Sequence, residues 1–416
     1  MGYLEAGVVD KRMRLVTAIE AGEETMAALC RRFDLSRKAG YKWLGRYRSE
    51  GIEGLADRPR AAQRHPHAIE ARMLEQCLAV RREHPSWGPV KVRAVLERRE
   101  PGVRWPAASV PGLDPGIGGL FDREGLTVKR KRLRRRAPAS APFAACEAAN
   151  AVWCIDFKGW FLTGDGTHCG PLTLSDAHSR YLLRCQPLGR DDTQHVWAVL
   201  EAAFREYGLP LRLRSDNGPP FASTGAGGLS QLAVKVIKAG VMPERIAPGK
   251  PQQNGRLERL HLTLLRDTAT PPARSLREQL DRFRRFQRVY NDERPHAALA
   301  NATPAEHYAA SPRRWDGVLR EPDYADRESV RRVRHNGTIR WQGGELYISQ
   351  ALTGEAVGLG EQPEGGWAVR YGPIALGIID HRGDRLRRPK PQACGFVDNP
   401  DELPTTPQAQ QPPQKA

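Results

Sequence analysis

The sequence predicts a multidomain chain, with helical units at the N-terminal end, a central α/β domain on a mixed sheet, and a small β-barrel towards the C-terminus. Three observations carry that prediction. Residues 8–50 hold short helical segments, two of them preceded by a Thr or Ser suited to capping. Residues 150–310 begin with strand-like runs and then alternate strands with helices, the pattern of an α/β domain. Beyond residue 311, short β-rich runs are parted by Gly-rich turns, as in a small barrel.

Taken in order, residues 8–50 read as three helices. The second spans Thr25–Arg32, the turn is Phe33-Asp34-Leu35, and Ser36 caps a third helix from Arg37 to Ser49. Ala28, Leu29, Leu35, Tyr41 and Leu44 are spaced to form the core of a helix-turn-helix. Arg37, Lys38 and Lys42 then face outward on the recognition helix, where base edges and phosphates are met. A Gly/Pro/Arg-rich linker, Gly51 to Pro66, leads to two more helices, Ala68–Glu83 and Pro89–Arg99, the start of a second helix-turn-helix. Its third helix is interrupted by prolines and glycines between Pro111 and Gly119. Either that helix starts late, near Leu120, or the stretch is a lesion. The run Lys129, Arg130, Lys131, Arg132, Leu133, Arg134, Arg135 and Arg136 suits tracking along a phosphate backbone, without sequence specificity.

In the central domain, Ala151–Phe157, Leu172–Ser175, Tyr181–Pro187 and Leu211–Ser215 read as strands, with Arg245-Ile246-Ala247-Pro248 a fifth at the edge. Helices are expected over Asp191–Tyr207, Leu229–Ala239, Asn254–Asp267 and Leu276–Tyr290. The barrel strands are Val330–Val333, Thr338–Trp341, Glu345–Ile348, Glu355–Leu359, Trp367–Tyr371 and Ile374–Asp380. The expected boundaries are 1–60, 61–146, 147–310 and 311–388, with a Pro/Gln-rich disordered tail over 389–416.

Composition narrows the function. Against 48 acidic residues stand 65 basic ones, a net charge of +17, which favours a polyanionic partner, nucleic acid before membrane. The seven cysteines include no Cys-x-x-Cys pair, so neither a disulfide framework nor a zinc knuckle is supported. No signal peptide and no membrane-spanning run is read, and the chain is expected to be cytoplasmic and associated with the nucleoid.

Three carboxylates stand in patterns suited to a metal-dependent phosphoryl-transfer core. Asp156 closes the apolar run Val152-Trp153-Cys154-Ile155, Asp216 follows the strand Leu211-Arg212-Leu213-Arg214, and Glu258 lies one turn beyond a helix start at Asn254. Each has a bland reading alone, as a strand cap, a turn residue or a surface acid on a helix whose inward stripe is Leu257, Leu260 and Leu264. Together, two strand-borne acids and one helix-borne acid make a cage for one or two hard cations, magnesium first and manganese as its substitute. Glu244 is a fallback third acid.

Trp153-x-x-Asp156, Ser215-Asp216-Asn217-Gly218-Pro219-x-Phe221 and Gln253-Asn254-Gly255-Arg256-x-Glu258-Arg259 closely resemble the integrase core of bacterial insertion-sequence transposases. So does Tyr290-Asn291-x-x-Arg294-Pro295-His296-x-x-Leu299 with Thr303-Pro304. The resemblance runs over most of residues 8–385. It implies a ribonuclease-H-like fold with a five-stranded mixed sheet and a triad of Asp156, Asp216 and Glu258 as catalytic residues and metal ligands. It further implies magnesium-dependent cutting at inverted-repeat ends and attack of the freed 3′-hydroxyl on target DNA. The partners expected are double-stranded DNA, as terminal inverted repeats and as target, and further copies of the chain on that DNA. Lys250 and Asn254 join the helix-turn-helix and linker cations as expected DNA contacts. The rival reading is a DNA-binding protein without catalysis, a relic acting as a repressor.

Overall fold

Thr25 and Ser36 start the helices they were expected to cap. In the computed structural model, which describes residues 7–58, 70–108, 116–127, 146–246, 255–363, 365–380 and 385–387, Thr25 Oγ1 accepts from Ala28 N at 3.4 Å and Ser36 Oγ from Ala39 N at 3.2 Å. These caps open α2 (Met26–Arg32) and α3 (Arg37–Glu50), which with α1 (Val8–Glu20) lie in the first of two units, residues 1–68 and 69–416.

The core of the first unit joins Val16, Trp43, Leu44 and Leu55. Leu29 and Leu44 are buried as expected, and Ala28 and Leu35 are half-buried. Tyr41 is not a core residue, being 61% exposed. The inward stripe of α3 runs through Gly40, Trp43 and Leu44, and Tyr41 sits about 100° round the helix from Gly40. Arg12 lies over the Trp43 ring at 3.7 Å. Gly40 brings α3 close to α2, since an added Cβ would stand 2.6 Å from Cys30 Sγ and 2.9 Å from Met26 Sδ. Gly40→Val is therefore expected to destabilise this unit by about 1–3 kcal/mol through overpacking. Hydrogen exchange on the full chain checks it: amides of α2 and α3 should lose protection while those of the second unit keep theirs. Unchanged protection in α2 and α3 would contradict the tight contact.

The second unit begins with α4 (Ala71–Glu83), α5 (Pro89–Arg99) and α6 (Ile117–Arg123), packed around Cys77, Val80, Trp87, Val92, Trp105 and Phe121. The helix with the doubtful start does form, beginning at Ile117, three residues ahead of Leu120. Residues 109–115 of the Pro/Gly run lie outside the described residues.

The central sheet is built from β1 (Val152–Phe157), β2 (Phe161–Leu162), β3 (His168–Asp176), β4 (Leu182–Leu188), β5 (Arg212–Ser215) and β6 (Met242–Arg245). Its main path is β4-β3-β1-β5-β6, mixed as expected: β1 and β4 run antiparallel to β3, while β5 runs parallel to β1 and β6 to β5. Three details differ from expectation. The two-residue β2 adds a sixth strand on β3. β3 starts at His168 because its first residues pair with both β2 and β4. The edge strand is Met242–Arg245, held by its pairing with Arg212–Ser215, rather than 245–248.

Helices α7 (Thr193–Tyr207) and α8 (Gln231–Lys238) cover one face of this sheet, joining Trp153, Ile155, Leu172, Leu174 and Leu213 in a single core. Helices α9 (Gly255–Thr268) and α10 (Leu276–Arg288) cover the other, through Leu257, Leu260, Leu264, Phe283 and Phe286.

The C-terminal strands are β7 (Ser329–Arg332), β8 (Thr338–Trp341), β9 (Gly344–Tyr347), β10 (Ala356–Glu361), β11 (Trp367–Tyr371), β12 (Ile374–Ile379) and β13 (Leu386–Arg387). Among the described residues they make an open sheet, β13-β12-β11-β10-β7, and a β8-β9 hairpin, not the closed barrel expected. Closure is not needed to bury the apolar face. Ala233, Val234 and Ile237 of α8 and Ile339, Trp341 and Leu346 of the hairpin join the sheet residues Val357, Leu359, Val369 and Leu376 in one core. Lys238 Nζ pairs with Glu355 at 2.9 Å across this junction. Among the described residues, no helix is long and apolar enough to cross a membrane.

Candidate active site

Asp156 ends the buried stretch Val152–Ile155 of the strand at the middle of the sheet. In the parallel pairing of β1 with β5, Cys154 is level with Arg214. Each acid comes two residues after this last pair, Asp156 within β1 and Asp216 just past the end of β5. Asp216 is fixed by its turn. Its Oδ1 accepts from Gly218 N at 3.1 Å, and Asn217 Nδ2 donates to Ile246 O at 2.9 Å. Asp216 thus fills the turn role read for it while its charge reaches Asp156.

Glu258 lies in the first turn of α9 and is exposed. What brings its helix to the strands is a residue that the sequence reading passed over. His261, one turn on, is 2% exposed, with Nε2 2.7 Å from Thr173 Oγ1. Thr173 is the register partner of Asp156 and donates to its backbone oxygen at 3.3 Å. Burial, with a smaller push from Lys158, lowers the His261 pKa to about 4, so the imidazole is neutral near pH 7. Further along α9, Arg294 Nη2 donates to Thr263 Oγ1 at 3.4 Å, and its Nη1 lies 3.7 Å from Asp267 Oδ2. Asn291 pairs both ways with the Leu182 backbone, and Tyr290 meets His296 edge-on at 4.7 Å. The Tyr290–His296 motif is thus a bracket seating α9 on the sheet.

The electrostatics join the three acids. Burial, then the charge of Asp216, raise the Asp156 pKa from 3.8 to about 7, and Glu258 pushes the same way. A backbone hydrogen bond at Phe157 and the Lys158 ammonium act against them. Asp176 is a buried acid with a different setting. It is 1% exposed, deeper than Asp156, and accepts from Asn150 N, Ser179 N and Ser179 Oγ at 2.8, 2.7 and 2.6 Å, and so serves the fold. Glu244 is committed elsewhere, because its Oε1 takes Arg214 Nη2 at 2.8 Å on the next strand.

A buried carboxylate pressed by two others is a donor set that suits a hard divalent cation, which would relieve the repulsion. The three are not gathered into one tight shell. Among the described residues, the trio of His, Cys, Asp or Glu with ligand atoms all within 4.8 Å of one another is Glu83, His84 and Glu293. Of the three, the Glu258 side chain is the exposed one, in the first turn of α9.

Arg37, Lys38 and Lys42 are all exposed on α3, with Lys42 Nζ 4.5 Å from the Trp43 ring centre. The cationic run 129–136, Lys250 and Asn254 lie outside the described residues.

Comparison with known proteins finds the Integrase core domain family matching residues 147–251 and again 239–304. A Helix-turn-helix domain family matches residues 11–62 and a Homeodomain-like domain family residues 39–110. The insertion element IS407 31.7 kDa protein of Burkholderia multivorans is 30% identical over 199 residues, which span 46% of this chain and 67% of that protein. The insertion element IS476 39.2 kDa protein of Xanthomonas euvesicatoria is 25% identical over 296 residues, 69% of this chain and 79% of that protein. Among solved structures, the HTLV-2 integrase catalytic core domain in complex with magnesium aligns with a TM-score of 0.28 and 15% identity, over 39% of this chain and 96% of that one.

Proposed function

The chain belongs to the insertion-element transposases with an integrase-like core, and on that footing we propose that it cuts DNA at the ends of its element and joins the freed 3′-hydroxyls to target DNA. What supports this reading is that Asp156 and Asp216 each come two residues after the paired Cys154 and Arg214 of parallel neighbouring strands, with the charges of Asp216 and Glu258 both acting on Asp156. Asp156, Asp216 and Glu258 would hold two magnesium ions, which would activate the attacking oxygen and stabilise the leaving one. The chain's own contribution is rigidity and charge. β1 and β5 fix two carboxylates against a packed core, and the His261–Thr173 contact seats the helix bearing the third. Asp156 would be held as a carboxylate where a cation is bound. The Lys158 ammonium, near enough to act on Asp156, would pair with a phosphate oxygen of the bound strand.

In this reading, residues 1–60 and 61–146 recognise the element ends, 147–310 perform the transfer, and 311–388 support the assembly. Two DNA ends must be held for one joining event, so the working form is a multimer on DNA.

The test is a cutting and joining assay with the purified full chain, magnesium and duplexes carrying the repeats that flank its gene. Nicking that requires magnesium and each of the three acids supports the reading. Activity that survives Asp216→Asn or Glu258→Gln would remove that residue from the site, and binding without any nicking would favour the repressor reading. A second test concerns the recognition helix. Replacing Arg37, Lys38 and Lys42 by Ala should flatten the salt dependence of binding by up to about 0.9 in log–log slope for each phosphate left unneutralised. An unchanged slope and affinity would take α3 off the DNA.

A further inference from the structure

Just past Asp156 the chain makes a detour that neither the fold nor the carboxylate chemistry requires. Phe157 pairs with Leu172 in the β1–β3 ladder, and Phe161 pairs with Cys169 in the β2–β3 ladder. Lys158, Gly159 and Trp160 therefore face only Gly170 and Pro171, which puts one extra residue on this side, a β-bulge. Gly159 supports the bulge with a φ of +61°, a conformation that glycine takes without strain. Bulges re-aim side chains, and here the result is Trp160 standing 66% exposed. His168 stacks on it, with ring centres 5.3 Å apart and planes 27° from parallel. A large aromatic ring is thus held by an imidazole while most of its surface meets solvent. Tryptophan is normally well buried, so this exposure stands out.

Chain length limits how far the Trp160 backbone lies from that of Asp156. Four residues of extended chain reach at most about 14 Å, or roughly four base steps of duplex at about 3.4 Å each. We infer that Trp160, backed by His168, is a stacking platform for an unpaired DNA base within a few nucleotides of the phosphate held at Asp156, Asp216 and Glu258. Aromatic stacking accepts any base, because every base presents a π-face. The site would therefore hold a frayed or overhanging end open without reading its sequence, while the helix-turn-helix supplies specificity. This inference rests on the carboxylate site proposed above.

The experiment uses the full chain and a short duplex whose single-stranded overhang carries 2-aminopurine at successive positions. Stacking quenches its fluorescence, excited beyond the absorption of the protein. Quenching is expected at one or two positions, lost in Trp160→Ala and retained in Trp160→Phe. Trp160→Ala should also weaken overhang binding about tenfold relative to blunt duplex, the scale of one aromatic–base stack. Trp160 is at the surface, so an unchanged melting temperature will show that the variant is folded. Equal quenching in Trp160→Ala would overturn the inference and leave the carboxylate site untouched. Cutting that persists in Asp156→Asn would overturn the carboxylate reading instead, whatever the fluorescence does. If Trp160→Ala loses blunt-duplex binding in equal measure, Trp160 is a general surface contact and the platform fails.

Discussion

Asp156→Asn is expected to lower magnesium-dependent cutting on the order of a thousandfold or more, since one metal ligand at the reacting phosphate supplies several kcal/mol. DNA affinity should barely change, because the proposed DNA-reading side chains lie on other elements. The same substitution should stabilise the protein when magnesium is withheld. The folded carboxyl holds its proton up to about pH 7 against an ordinary 3.8, so the folded state binds that proton more tightly than the unfolded one. Below about pH 4 both states are protonated and nothing is lost. Between about pH 4 and 7 the native protein pays an increasing penalty, full above 7 and at most about 4 kcal/mol. Denaturant titrations of the two proteins should coincide at pH 4 and separate at pH 8, with Asn the more stable. Magnesium should narrow the gap at pH 8 by binding only the native residue. Coincident curves at pH 8 would show that Asp156 is not under electrostatic stress.

Arg214→Ala is expected to cost about 3–5 kcal/mol of stability in the second unit. The Arg214 side chain is 3% exposed and that of its partner Glu244 13%, so the change strands a carboxylate away from water. Arg214 also stands two residues before Asp216, so activity should fall with stability. The double change Arg214→Met with Glu244→Leu should return most of the stability, because apolar residues of similar volume replace such pairs at little cost. A single-variant loss under about 1 kcal/mol, the scale of an exposed pair, would mean that water reaches the pair.

The three acids proposed as the site stand out in the sequence because each is announced by its own neighbours. An apolar run stops at Asp156, a strand stops at Asp216, and a leucine stripe brackets Glu258. The helix caps at Thr25 and Ser36 are local in the same way. What could not be read depends on partners far along the chain. His261 gains its place from Thr173, 88 residues away, and only its position on the Leu257, Leu260 and Leu264 stripe hinted at burial. The early residues of β3, with Gly170 and Pro171 among them, look like a turn and become a strand because β2 and β4 flank them. Trp43 rather than Tyr41 fills the first core because α1 and Leu55 close over that side of α3. The open sheet replaces a barrel because α8, nearly a hundred residues earlier, lies over its face.

That helix is buried on two sides at once and turns only Gln231, Lys235 and Lys238 away from the cores. Leu232 and Val236 belong to the core of the central sheet while Ala233, Val234 and Ile237 belong to the sheet beyond it. The C-terminal sheet is consequently not an interchangeable cassette. A lineage that traded it for another module would have to redraw alternate positions of α8 in the same event, which ties the history of the two parts together.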